Sequence, residues 1–258
     1  MSDIVEIRES GPVLTVALNR PESHNAFSPE MSAAVMAVFE EVKARDDVRV
    51  VVLTGNGRSF CAGGDLNAMR AASDFTFAEN VHDGEVIFDL MWTVDRCPKP
   101  VIGRVNGAAI GGGVGLVSCC DMVVAVERAK FGFSESRLGI VPAVISPFVI
   151  AKIGPAAARE LFLTGERFDA YRAQQLGLVS RVVPETELDT AVEERIAHLL
   201  QAAPGAQAAA KELIRTVAYQ PQESVRDYTT NLIARLRASD EGREGMGAFL
   251  EKRKPGWQ

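Results

Sequence analysis

Residues 106–121 read NGAAIGGGVGLVSCCD, with Gly111, Gly112 and Gly113 in succession, Gly115 two residues on, and an apolar run behind them. Glycine weakens a helix by about 1 kcal/mol relative to alanine, so glycines where a helix starts need a reason. No acid or base lies among them, and any chemistry there is main-chain chemistry. A nucleotide-phosphate loop fits poorly: no Lys-Ser or Lys-Thr follows, and Leu116 stands where the last glycine of G-x-G-x-x-G would fall. Two readings stay open. The glycines let a helix approach a sheet closely, or they form an oxyanion hole. In the second case, the first N–H groups of the helix, which lack an intrahelical acceptor, meet a carbonyl oxygen in its charged transition state. Such a hole needs a second donor. GRSFCAGGDL (57–66), another glycine loop behind a Val-rich run, is the candidate.

These loops require strands to carry them. VLTVALN (13–19), VRVVVLTG (48–55), PVIGRVNG (100–107) and DMVVAVE (121–127) are Val- and Ile-rich and end in Gly, Asn or Glu, as buried strands do. Between the first two, Ser28 is a good N-cap and Pro29 takes the first helical position. Val35, Val38, Phe39 and Val42 then recur at helical spacing. The alternation predicts an α/β fold. Residues 72–84 lack a clean period and read as a mobile segment over a site. From about Pro155 the pattern is mostly helical, with LVSRVV (178–183) as a last strand. ETELDTAVEERIAHLLQAA, GAQAAAKELIRTVAYQ and QESVRDYTTNLIARLRAS then read as three amphipathic helices in succession.

The formal net charge of −6 over 258 residues gives no basic field for nucleic acid. Adjacent Cys119 and Cys120, with Cys61 and Cys97, suit neither a disulfide framework nor a metal clip and read as reduced, buried thiols. His24, His82 and His198 lack metal-ligand spacing, and G-x-S-x-G is absent. No signal peptide and no spanning helix are expected, which points to a cytoplasmic protein without a membrane partner.

Six ordered segments resemble the enoyl-CoA hydratase/isomerase, or crotonase, superfamily: LNRPESHNAFSPEM (18–31), VVLTGNGRSFCAGGDL (51–66), KPVIGRVNGAAIGGGVGL (99–116), CDMVVAVERAKFGFSESRLGIVP (120–142), LTGERFDAYRAQQLGLVSRVV (163–183) and FLEKRKPGW (249–257). The resemblance implies a spiral of ββα units over residues 1–200 and a helical trimerisation region over 201–258, assembled as a homotrimer or a hexamer of paired trimers. It implies an acyl-CoA thioester substrate, with CoA belonging to that substrate and no separate cofactor. The N–H groups of Gly64 and Gly112 match the family's oxyanion hole. Ala62, Asp65 and Leu66 fall where the family binds the adenine end of CoA, and Phe249 and Lys252 match C-terminal residues that reach CoA, often in a neighbouring subunit.

Hydratases of the family carry two glutamates. Glu135 matches one, and Gly115 stands where the other would be. Taken alone, Glu135 between two serines reads as a solvated loop acid; the resemblance turns it into the acid/base. Gly115 is expected to make room for a branched or polar acyl group, in line with a softer likeness of LGIVPAVISPFVIAKIG (138–154) to methylglutaconyl-CoA hydratase-like members. Hydration of a 2-enoyl-CoA is the leading expectation. Δ3-Δ2 isomerisation by Glu135 alone competes with it, and a non-catalytic CoA-thioester binder is the third reading.

Overall fold

The structure, a computed structural model, describes residues 4–65, 70 and 74–258. Strands β1 (Val5–Ser10) and β2 (Val13–Leu18) form an antiparallel hairpin, and β2 pairs in parallel with β3 (Val50–Gly55). The parallel sheet continues through β5 (Val101–Val105), β7 (Met122–Val126) and β10 (Arg181–Val183), in the order β1-β2-β3-β5-β7-β10. These are the Val-rich runs of the sequence. Every residue of β3 is buried, as a parallel strand covered on both faces must be.

After each of β3, β5 and β7 the chain crosses to a second sheet through a strand of three residues: β4 (Ser59–Cys61), β6 (Ala108–Ile110) and β8 (Lys130–Gly132). The antiparallel β9 (Arg167–Asp169) completes the order β4-β6-β8-β9. A helix follows each crossing: α2 (Phe77–Asp95), α3 (Gly112–Cys119) and, past a short turn at Glu135–Leu138, α4 (Ser146–Thr164). This is a spiral of ββα units. Successive units lie so close that a Cβ on Gly107 would fall 1.9 Å from the Arg58 carbonyl oxygen. Phe39, Phe60, Phe131, Phe133, Leu53 and Ile102 fill the core. The four thiols are buried and unpaired, and burial pushes those of Cys61 and Cys120 up to about 12.

Helix α1 (Pro29–Lys43) starts as its sequence predicts: Ser28 Oγ accepts the Met31 N–H at 3.3 Å, and Met31, Val35, Phe39 and Val42 face the core. Of the stretch 72–84, expected to lack regular structure, residues 72 and 73 lie outside the described residues and the rest departs from expectation. Thr76 and Glu79 form a reciprocal capping box, and the chain is helical from Phe77. The period was hidden because only Leu90, Met91, Thr93 and Val94 of α2 are buried, while Phe77 is 86% exposed. The second half holds α5 (Ala170–Gln175), α6 (Leu188–Gln201), α7 (Pro204–Val217), α8 (Arg226–Ala238) and α9 (Asp240–Glu251). Lys211 of α7 ties this region to the spiral through Asp121 at 2.6 Å. At the chain end, Trp257 Nε1 donates to the Gln201 carbonyl oxygen at 3.1 Å.

Candidate active site

The first glycine turn, residues 62–65, leaves β4 and runs beside residues 19–28. The Phe27 N–H donates to the Gly63 carbonyl at 2.7 Å, and the Asp65 N–H donates to the Phe27 carbonyl at 3.1 Å. In such a pairing the residue between turns its own N–H to the opposite side; that residue is Gly64, which is exposed. Loop 19–28 is held by buried Asn25. Its Nδ2 donates to the carbonyls of Asn56 and Ser59, both at 2.9 Å, and its Oδ1 accepts the Arg20 N–H at 2.9 Å. His24 and Asn25 take left-handed backbone angles in succession, a conformation asparagine tolerates better than most residues. Arg20 ties the two segments together, with Nη2 to Asp65 Oδ2 and Nη1 to the Ala26 carbonyl, both at 2.9 Å.

The second turn heads α3. Gly111, at φ 52°, donates its N–H to the Gly132 carbonyl at 2.9 Å and accepts from Val114 at 2.9 Å and Gly115 at 3.1 Å. A side chain at that φ would be strained. Gly112 is the first residue of the helix, where no intrahelical acceptor exists and the helix dipole is positive. The two turns adjoin: a Cβ on Gly113 would fall 2.2 Å from the Cys61 carbonyl oxygen, and one on Gly63 would fall 3.4 Å from the Gly112 nitrogen. Among the described residues, neither the Gly64 nor the Gly112 N–H has a protein acceptor.

Glu135 opens the turn behind β8, the strand whose Gly132 holds Gly111. Its carboxylate lies over Gly111: Oε1 is 2.9 Å from where a Cβ on that glycine would be. Oε2 is buried without a hydrogen-bond partner among the described residues. Burial raises the Glu135 pKa above its ordinary value of 4.5, against a smaller lowering by its own backbone N–H. Gly139, at φ 78°, closes the turn, and Arg137 Nε donates to the Thr164 carbonyl at 3.3 Å at the end of α4. A carboxyl with a raised pKa beside two unpartnered N–H groups can move a proton while negative charge on a carbonyl oxygen is held.

One expectation is corrected. Gly115 does not open onto space for an acyl branch, because a Cβ there would lie 2.6 Å from Ile145 Cγ2 and 3.1 Å from Met91 Cε. The protein's own methyl groups occupy that room, and Gly115 serves close packing.

The remaining expected site residues scatter. Ala62 lies in the first turn and donates its N–H to the His24 carbonyl at 3.0 Å. Asp65 is buried, with its carboxylate against Arg20. Leu66 lies outside the described residues. Phe249, 82% exposed, and Lys252, the left-handed cap of α9, lie on the C-terminal helix. Reading the sequence overlooked Arg20, Asn25, Phe27, Met91 and Ile145. A left-handed Asn25 ahead of the Ser28-Pro29 helix start was the available signal for the loop; nothing local signalled Ile145. A cavity of about 700 Å³ lies elsewhere, between the six-stranded sheet and α6, lined by Thr15, Thr54, Arg104 and Asp189 among others. Among the described residues no group of three potential metal ligands occurs, and no helix is long and apolar enough to cross a membrane.

Residues 8–258 match the enoyl-CoA hydratase/isomerase family, and the chain belongs to it. An enoyl-CoA hydratase from Shewanella pealeana ATCC 700345 superposes with a TM-score of 0.95 at 39% identity, over 98% of this chain and 96% of that one. Pseudomonas aeruginosa AtuE gives a TM-score of 0.95 at 36% identity, over 98% and 99% of the two chains. The carnitinyl-CoA dehydratase of Salmonella paratyphi A is 35% identical over 267 residues, covering 100% of this chain and 99% of its own length. The fold is the crotonase fold of this family.

Proposed function

We propose that the protein adds water to a 2-enoyl-CoA thioester, with the Gly64 and Gly112 N–H groups holding the thioester oxygen and Glu135 as the only acid/base. The observation that carries this reading is the buried, unpartnered Glu135 Oε2 beside Gly111, next to an unpartnered N–H at Gly112. Ionised Glu135 takes a proton from water as its oxygen bonds to Cβ. The electron pair of the double bond moves to the carbonyl, and the resulting enolate oxygen accepts from the two N–H groups. Protonated Glu135 then returns the proton to Cα, so one carboxylate completes both transfers. Each N–H is worth about 3 kcal/mol of barrier, and the acid/base roughly 10²- to 10⁴-fold. The hydratase and dehydratase names of the relatives above support hydration.

Isomerisation is the second reading, favoured by the filled place at Gly115, which leaves no second carboxylate on α3. Glu135 would then take a proton from Cα of a 3-enoyl-CoA and return it at Cγ. Assembly into trimers is supported by exposed apolar side chains on the C-terminal helices, including Ile214, Phe249 and Leu250.

The test is turnover of 2-enoyl- and 3-enoyl-CoA thioesters by wild type and Glu135→Gln. Hydration shows as loss of the conjugated 2-enoyl absorbance, and isomerisation as its gain from the 3-enoyl substrate. The variant is expected to lose 10²- to 10⁴-fold in kcat with KM little changed; full activity would remove Glu135 from the reaction. The acid limb of the wild-type kcat profile is expected above the ordinary carboxylate range, since Glu135 must start ionised. Stability gives an independent readout. The folded chain holds this proton more tightly than the unfolded chain, so stability falls as pH rises from about 4.5 through the folded value. Glu135→Gln removes that loss, and its gain in Tm is expected to be larger at pH 8 than at pH 4.

A further inference from the structure

One face of α3 is bare of side chains at Gly112 and Gly115, with Gly111 just ahead of it, and groups from elsewhere in the chain cover each position. The Glu135 carboxylate lies on Gly111, and the Phe27 ring lies 2.7 Å from where a Cβ on Gly112 would be. Ile145 Cγ2 and Met91 Cε lie on Gly115. Gly115 stands four residues into the helix from Gly111, about 6 Å along the axis at 1.5 Å per residue. An acyl chain whose thioester oxygen is held at Gly112, whose Cα and Cβ face Glu135, and which runs on along α3 meets the Ile145 side chain next. Ile145 is 4% exposed and immediately precedes α4; Met91 is fully buried on α2. Helices α2 and α4 also meet at the Phe88 and Phe148 rings, 5.6 Å apart, so Met91 and Ile145 sit on elements packed against each other.

Building on the proposed function, we propose that Ile145 is a specificity-determining residue: with Met91 behind it, its Cγ2 closes the space beneath Gly115 and selects straight acyl chains over chains branched at Cβ. Gly115 and Ile145 form one complementary small–large pair. The glycine is required because the isoleucine is there, and the isoleucine narrows the site beside the reacting carbons.

The experiment compares kcat/KM for a straight-chain 2-enoyl-CoA and its 3-methyl-branched counterpart in wild type, Ile145→Ala and the milder Ile145→Leu, which lacks the Cγ2 branch. One methyl in an apolar site is worth about 10- to 200-fold in discrimination. The branched-to-straight ratio is expected to rise at least tenfold in Ile145→Ala, and less in Ile145→Leu, which keeps the fold if the larger truncation does not. A ratio unchanged in the folded variants, with Glu135→Gln still inactive, overturns the proposal while leaving the proposed function standing. Activity surviving in Glu135→Gln overturns the proposed function itself. The pairing has its own check. Gly115→Ala is expected to lower Tm by several degrees, and Gly115→Ala/Ile145→Leu, which lacks the clashing Cγ2, to recover part of that loss. Gly115→Ala as stable as wild type would refute the close contact.

Discussion

The turn at residues 62–65 and the turn at 111–113 present the same group, a main-chain N–H without a partner among the described residues, but they are fixed by different means. Side chains hold the first. Arg20 reaches Asp65, and Asn25 anchors loop 19–28 against β4, so the turn keeps its shape without regular structure of its own. The second is held by backbone alone. Gly111 bonds to Gly132 and caps a helix in which seven of eight residues are buried. A site assembled from both has two kinds of weakness: the first turn fails when a side chain is removed, and the second when one is added.

The largest effect is expected at the join between the turns. Gly113→Ala puts a methyl 2.2 Å from the Cys61 carbonyl oxygen, a backbone atom with nowhere to go, and must drive the turns apart. Folded protein is expected to be lost, or turnover to fall by about 10³-fold if it folds, as when an oxyanion donor is displaced. Circular dichroism and enoyl-CoA turnover read both; turnover within tenfold of wild type would show that the junction tolerates separation.

A smaller effect tests the side-chain-held turn. Arg20→Met removes the guanidinium paired with the Asp65 carboxylate, 9% exposed, and is expected to destabilise the chain by about 3 kcal/mol in urea unfolding. Arg20→Met/Asp65→Asn is expected to recover more than half of that, because an uncharged amide costs less than a carboxylate to bury without Arg20 beside it. No recovery would mean that Arg20 acts through the Ala26 carbonyl instead. The smallest effect lies just beyond the loop. Ser28→Ala removes the N-cap of α1, costs about 1 kcal/mol and is expected to leave turnover within threefold, since Asn25 and Arg20 still hold the loop. A larger fall in turnover would show that the start of α1 also supports the first turn.

Much of this architecture was legible before any coordinates. The Val-rich strands β3, β5 and β7 announce themselves because burial on both faces demands apolar runs, and Ser28-Pro29 marks the start of α1. Strands β4, β6 and β8 were not legible on their own, since three residues cannot show a period. Helix α9 was hidden by Gly242, Gly245 and Gly247, residues a propensity argument assigns to loops. At the site, the glycine turns were visible because only glycine fits where backbones nearly touch. Glu135 was singled out by family resemblance, not by its neighbours. The filling of Gly115 by Ile145 was invisible, because it depends on a contact between residues thirty apart, which no local pattern encodes.

Cys61 occupies the last position of β4, directly ahead of the first glycine turn. Its thiol is sealed from solvent and held protonated far above neutrality, so an alkylating reagent can reach and modify it only while that strand stands open. The modification rate at this one sulfur, set against that at Cys119 in α3, thus supplies a native clock for how often each of the two glycine turns comes undone, with no label engineered into the chain.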